Sequence, residues 1–216
     1  ADSYEGTYIM KGLIIKDFYS IKKVMSMYVI LTVLLMVYCI VRNRYEFIPA
    51  IPILIFSTTI TSTFSMDAAV EWNRLAVTMV EKRKDIVKCK YILFLLIILF
   101  GGLCSAVLIT PSIIIREINV RATIEIVLLI LSIAFCSGSI SLGILHFSTT
   151  TIEKIELLTL FSYMTSAVVV LLVGKILGSI LEVDKIIISV INLLAMFVLY
   201  YVSFCISVKI FNKRDI

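Results

Sequence analysis

The chain has 216 residues, of which 61% are hydrophobic and 16% are charged, with a formal net charge of +5. Soluble domains contain roughly 45–50% apolar and about 25% charged residues, and so large an apolar share cannot be buried inside one globule of this length. The composition therefore excludes a soluble enzyme, a disordered tail and a disulfide scaffold, and it indicates an all-α, polytopic membrane protein.

The N-terminal part of the chain predicts a surface helix ahead of the first span. Residues 1–9 precede Met10, a plausible natural start, so we interpret them as a cloning remnant and treat 10–216 as one transmembrane domain. Segment 10–23 has one apolar helical face with its charges elsewhere, which is typical of a helix lying on a membrane surface. The apolar side chains of this face are Ile14, Phe18, Ile21 and Met25. The alternative is a basic flank that only orients the first span.

Six runs without Asp, Glu, Lys or Arg are long enough to span a membrane, since crossing about 30 Å of hydrocarbon takes about 20 helical residues. The runs are 24–41, 47–66, 91–110, 126–145, 157–174 and 186–208. They are unbroken rather than alternating, which excludes a β-barrel. The sequence therefore predicts six transmembrane helices.

The Lys and Arg residues predict the orientation of these spans. With the N-terminus in the cytoplasm, the inner segments hold 14 of the 20 basic residues and the outer segments hold 6. Because cytoplasmic loops carry an excess of Lys and Arg, we expect both termini in the cytoplasm.

The longest connection, 67–90, joins the second and third predicted spans. Asp67 is expected to cap a short helix, in which apolar residues recur at i, i+3, i+4 and i+7 and form one stripe. The stripe consists of Trp72, Leu75, Ala76 and Met79. Two interpretations stay open: an interfacial helix anchored in lipid by Trp72, or a docking helix whose stripe enters a groove in a soluble partner.

Hydroxyl-bearing and small residues inside the predicted spans are candidates for a polar pathway wall or for helix packing. The candidates are Thr59, Ser62, Thr63, Ser137 and Ser141, together with a G-x-x-x-G pair at Gly174 and Gly178. No Asp or Glu lies in the middle of a predicted span, which argues against an ion-coupled secondary transporter. The five cysteines form no C-x-x-C pair and His146 has no neighbour at ligand spacing, so we expect no metal site.

The amphipathic segment MKGLIIKDFYSIKK, the six spans and the block FSMDAAVEWNRLAVTMVEKRKDIVKCKY together resemble the ABC-2 type transporter permeases. Within this family, the size of the chain and its short outer loops resemble the small transmembrane subunits of peptide exporters, such as the exporter of phenol-soluble modulins. The resemblance implies that the loop between spans two and three is a coupling helix that contacts an ATP-binding subunit. The implied contact residues are Asp67, Glu71, Trp72, Arg74, Leu75 and Met79, and the implied connecting helix carries Lys16, Asp17 and Phe18.

The resemblance also implies that this chain is not itself an enzyme. No phosphate-binding loop G-x-x-x-x-G-K-[ST] occurs, because Ile144 follows Gly138 and Gly143 where that motif needs Lys. We therefore expect no catalytic residue and no bound cofactor here, with ATP and Mg²⁺ on a partner chain.

The implied assembly is an exporter in the bacterial cytoplasmic membrane. It comprises two copies of an ATP-binding cassette subunit and a second permease copy or a homologous permease. The implied cargo is amphipathic or hydrophobic, a toxin or antimicrobial peptide, and nucleic acid is not an expected partner. The first alternative is a non-transporting scaffold or immunity protein. An ion-coupled secondary transporter is a less favoured alternative.

Overall fold

The computed structural model describes all residues except 1, 71, 73–82, 117–118, 148–150, 182 and 214–216. Every element in the described ranges is helical, which confirms the all-α prediction. The helices are α1 (Asp2–Val41), a short 3-10 helix (Tyr45–Phe47), α2 (Ala50–Thr58), α3 (Ile60–Ala69), α4 (Arg83–Arg116), α5 (Val120–Phe147), α6 (Ile152–Leu181) and α7 (Lys185–Lys213).

Five helices are long and apolar enough to cross a membrane. The five candidate spans are Val24–Val41, Lys84–Leu108, Val120–Leu145, Ile152–Ile180 and Lys185–Phe211. They correspond to five of the six predicted spans, and all but the first begin before the predicted start. Length and composition therefore identify a multi-pass membrane protein.

The second predicted span, 47–66, differs from the prediction because it forms two short helices, α2 and α3, that meet at Thr59. The Thr58 hydroxyl donates to the Ile55 carbonyl at 2.7 Å, the acceptor that the Thr59 N–H uses in a continuous α-helix. The Thr59 N–H binds the Phe56 carbonyl instead, at 3.0 Å, as in a 3-10 turn. Competition between a hydroxyl and the backbone thus interrupts a helix that hydropathy predicts as one.

Helix α1 continues without a break from the predicted surface segment 10–23 into the first span. Its 40 residues make it about 60 Å long, roughly twice the thickness of a bilayer's hydrocarbon core. Asp17 and Ile21, four residues apart, are buried against the other helices, whereas Phe18 is 59% exposed. The N-terminal segment is therefore part of one long helix that packs along one face.

The largest core cluster centres on Phe94 of α4, which is fully buried. Its ring stacks on that of Tyr200 of α7, with centroids 5.7 Å apart. Gly138 of α5 lies beneath the ring, where an added Cβ would overlap it. The small residues of α5 therefore serve close packing of α4, α5 and α7.

A buried polar network ties α4 to α7. The Tyr91 hydroxyl lies 3.0 Å from the Ser203 hydroxyl and 2.9 Å from that of Ser207. The Tyr200 hydroxyl donates to the Tyr91 carbonyl at 2.8 Å. Hydrogen bonds of this kind hold membrane helices together where the hydrophobic effect does not act between them.

Candidate functional site

Four ionisable side chains form a closed ring where α1, α3 and α4 meet. The Lys16 Nζ lies 2.6 Å from Asp67 Oδ1 and 3.1 Å from Asp17 Oδ1. The Lys90 Nζ lies 2.6 Å from Asp67 Oδ2 and 3.0 Å from Asp17 Oδ2. Each carboxylate thus bridges both ammonium groups, so that charges alternate around the ring and cancel. We call these four residues the ion-pair ring.

Three of the four members of the ring are buried: Asp17, Asp67 and Lys90 are 2%, 6% and 5% exposed. Burying a charge is costly unless it is paired, and removing one partner of a buried pair costs about 3–5 kcal/mol. Two aromatic rings add to the pairing, with Trp72 4.1 Å from Lys16 Nζ and Phe64 5.0 Å from Lys90 Nζ. The ring is therefore a strong joint between three helices.

The ion-pair ring includes residues from both sides of the predicted connection 67–90. Asp67 is in the last turn of α3, which ends at Ala69, and Lys90 is in the second turn of α4, which begins at Arg83. Lys16 and Asp17 supply the α1 side. The ring therefore links the residues on either side of the connecting segment to α1.

The structure brings together part of the predicted site. Lys16, Asp17 and Asp67 belong to the ring and Trp72 covers it, while Phe18 points away from it on α1. The remaining predicted contact residues, Glu71, Arg74, Leu75 and Met79, lie outside the described residues.

The role predicted for Asp67 as a helix cap is wrong, because Asp67 lies inside α3 and its carboxylate binds two lysines. Sequence reasoning also missed Lys90, which it counted only as one of the basic residues that orient the spans. Its position directly before the apolar run of the third predicted span could have indicated a buried lysine. A Lys buried at a membrane edge needs an acidic partner.

A groove of about 700 Å³ lies beside the ring, between α1, α2, α3, α5 and α6. One wall carries hydroxyl groups, and the Tyr28 hydroxyl lies 3.1 Å from that of Ser62. Methionines, aliphatic residues, Thr159 and Tyr163 form the rest, and Glu156 is the one charged side chain among the described residues that line it. The hydroxyl wall consists of Thr58, Thr61, Ser62 and Ser65.

Only one of the five hydroxyl residues predicted from sequence, Ser62, lines this groove. Thr59, Thr63, Ser137 and Ser141 are buried in helix packing. The Thr63 and Ser137 hydroxyls donate to carbonyls of their own helices, at 2.8 and 2.9 Å. For these residues the structure favours the packing interpretation.

The G-x-x-x-G pair also packs inside the chain. An added Cβ would lie 3.6 Å from Asn192 Nδ2 at Gly174 and 3.6 Å from Ile188 Cδ1 at Gly178. Both glycines therefore face α7 of the same chain.

The five long apolar helices define a multi-pass membrane protein, in which the ion-pair ring joins α1, α3 and α4. In a comparison with known protein families, residues 12–212 match the family described as ABC-2 family transporter protein. The chain belongs to this family, and membership implies a transport membrane subunit that is partnered by an ATP-binding subunit. No curated protein and no solved structure matches the chain.

Proposed function

We propose that this chain is the transmembrane permease subunit of an ATP-driven exporter in a bacterial cytoplasmic membrane. A separate ATP-binding subunit docks on the segment from Asp67 to Met79, and a second copy or a homologous permease completes the pathway. The observation that carries this proposal is the ion-pair ring, which links both ends of that segment to α1.

The ring gives the docking segment a mechanical role. Closure of two ATP-binding subunits moves the segments seated on them, and packed elements respond as rigid bodies rather than by continuous bending. Because Asp67 and Lys90 are held to Lys16 and Asp17, a push on the segment moves α1, α3 and α4 together. An untethered loop would absorb the same push locally.

We assign α2 and α3 to a single interrupted span, which completes six spans and puts both termini in the cytoplasm. The two helices have 9 and 10 residues, close to the length that one crossing needs. Fourteen basic residues then lie on the cytoplasmic side.

The groove beside the ring forms part of the cargo pathway. Its apolar walls suit an amphipathic or hydrophobic cargo, and its hydroxyls offer hydrogen bonds that such a cargo would otherwise lose on leaving water. Met27, Met66 and Met164 line it with adaptable side chains. The class of cargo that fits this combination is a toxin or antimicrobial peptide.

Co-purification of the ATPase tests the proposal. We expect a soluble protein with a Walker A lysine and measurable ATP hydrolysis to co-purify with this chain from mildly solubilised native membranes. In Trp72→Ala, which removes the aromatic side chain above Lys16, recovery of that protein should fall, because the docking segment loses its contact with the ion-pair ring.

Tyr19→Ala is the matched control, since Tyr19 is an aromatic residue of α1 that is 66% exposed. Its ATPase recovery should equal that of the unmodified chain. Failure to recover an ATPase in any mild detergent would contradict the permease proposal and favour a non-transporting scaffold. Equal recovery from Trp72→Ala would instead contradict docking on this segment.

A further inference from the structure

A second cavity, of about 420 Å³, lies between α5, α6 and α7. Its volume is in the range of ligand clefts, roughly 300–1,000 Å³. It lies near the start of α7 and the end of α6, whereas the ion-pair ring lies near the start of α4. Since consecutive membrane-crossing helices alternate in direction, the cavity and the ring are at opposite ends of the bundle.

Asn192 provides a buried acceptor in this cavity. It is 5% exposed, and its Nδ2 donates to the Val170 carbonyl at 3.1 Å. Because a carbonyl can only accept, this bond fixes the orientation of the amide. The Asn192 Oδ1 is then left without a hydrogen-bond partner in the structure. A buried acceptor of this kind costs about 1–3 kcal/mol unless a ligand or water donates to it.

Three charged residues surround the same cavity: Glu125, Lys175 and Lys185. Glu125 and Lys175 each lie five residues inside the end of a candidate span, near the membrane interface, where the long side chain of a lysine can reach a lipid headgroup. No ion pair joins any of the three to a residue that the structure describes. The net charge of +1 therefore favours an anionic occupant.

We propose that this cavity binds the headgroup of an anionic phospholipid that carries hydroxyl groups, of the phosphatidylglycerol type. The phosphate accepts hydrogen bonds from Lys175 and Lys185, and a glycerol hydroxyl donates to Asn192 Oδ1. The acyl chains follow the aliphatic lining between α5 and α6. Water would satisfy Asn192 but would not balance the net positive charge of the lining, and a choline headgroup has no donor for the amide.

The purified chain in detergent, titrated with lipids of identical acyl chains, tests this site. We expect phosphatidylglycerol to raise the thermal unfolding midpoint at lower concentration than phosphatidylethanolamine or phosphatidylcholine. Native mass spectrometry should show one tightly retained phosphatidylglycerol per chain. Equal effects of the three lipids would overturn the proposal, because they would show an apolar surface without headgroup recognition.

Variants locate the lipid on the molecule. Lys185→Gln, at the exposed start of α7, should weaken phosphatidylglycerol binding about fivefold, as expected for one basic residue near a membrane surface. Lys154→Gln is the matched control, because Lys154 is an exposed lysine at the start of α6, at the other end of the bundle. It should leave the affinity unchanged. Equal losses in both variants would overturn the proposal, since attraction by net charge alone would explain them.

Asn192→Leu separates recognition by the amide from attraction by charge. The substitution keeps a side chain of similar size and leaves the net charge of the cavity unchanged, so it should weaken phosphatidylglycerol binding only through loss of the amide acceptor. Retained affinity in a folded Asn192→Leu variant would overturn the role of the amide. If that variant does not fold, Asn192→Ala gives the same decision, because it also removes the acceptor without changing the charge.

Discussion

At the scale of single residues, Lys90 shows how burial changes the role of a charge. In the sequence it is one of several basic residues that precede the third span. In the fold it is 5% exposed and lies between Asp17 and Asp67. A lysine in this position cannot be replaced by a neutral residue without leaving two carboxylates to share Lys16.

Lys90→Met tests this argument. The substitution preserves the length of the side chain and removes its charge, so the buried ring keeps an unbalanced negative charge. We expect a loss of about 3–5 kcal/mol of stability, as when one partner of a buried ion pair is removed. The midpoint of thermal unfolding in detergent, followed through the reactivity of the buried Cys89 and Cys136 thiols, measures the loss.

Lys88→Met is the control, because Lys88 lies on the same helix outside the ring. The unfolding midpoint of this variant should hardly change.

The double variant Lys90→Met with Asp17→Asn keeps the Lys16–Asp67 pair and restores neutrality. It should be less destabilised than the sum of the single variants, since contacting residues are not additive. Strict additivity would contradict the ring as a coupled unit.

At the scale of helices, hydropathy predicts the membrane-spanning segments, because these depend on local composition. It does not predict where a helix is interrupted, because single hydrogen bonds determine that. Five candidate spans were recognisable because about 20 apolar residues in a row have few alternatives to crossing a bilayer. The interruption at Thr59 was not predicted, since it depends on the Thr58 hydroxyl taking the Ile55 carbonyl. The continuity of α1 was also missed, because a polar segment ahead of a span is compatible with either a bend or a straight helix.

The contact between α4 and α7 gives a prediction at this scale. Tyr91→Phe removes the hydroxyl that lies within 3.0 Å of Ser203 and Ser207, while the ring keeps its place beside Tyr200 at a centroid distance of 5.1 Å. We expect a loss of about 1–2 kcal/mol, the value of a hydrogen bond between membrane helices, measured as a lower midpoint of thermal unfolding.

Tyr201→Phe is the comparison, because Tyr201 is 64% exposed on the same helix as Ser203. It makes the same chemical change outside the network, and it should leave the midpoint unchanged. Equal midpoints for the two variants would show that the network does not stabilise the contact between α4 and α7.

At the scale of the whole molecule, the candidate site brings together residues from three separate parts of the chain. Lys16 and Asp17 precede the first span, Asp67 ends the second and Lys90 begins the third. Sequence reasoning selected three of these four through resemblance to a family, yet it could not find that they touch. Their convergence depends on how α1 lies against α3 and α4, and no local pattern encodes that arrangement.

The ring predicts that α1 responds when nucleotide binds to the partner subunit. In the complex, addition of a non-hydrolysable ATP analogue should change the amide hydrogen exchange of residues 12–22 as well as that of the docking segment. In Lys16→Gln the response of α1 should be smaller, because α1 loses its bond to Asp67 at 2.6 Å and keeps only the bond from Asp17 to Lys90. Since Lys16 is partly exposed and Lys90 still pairs with both carboxylates, this variant should fold.

Lys22→Gln removes an exposed lysine from the same helix and should leave the response of α1 intact. An unchanged response of α1 in Lys16→Gln would contradict a role of the Lys16–Asp67 pair and leave the contacts of Ile21 with the core as the route. A response confined to the docking segment in the unmodified chain would contradict the ring as a mechanical link altogether. A smaller response in Lys16→Gln alone would establish that the pair of Lys16 with Asp67 carries part of the movement from the ATPase side into α1.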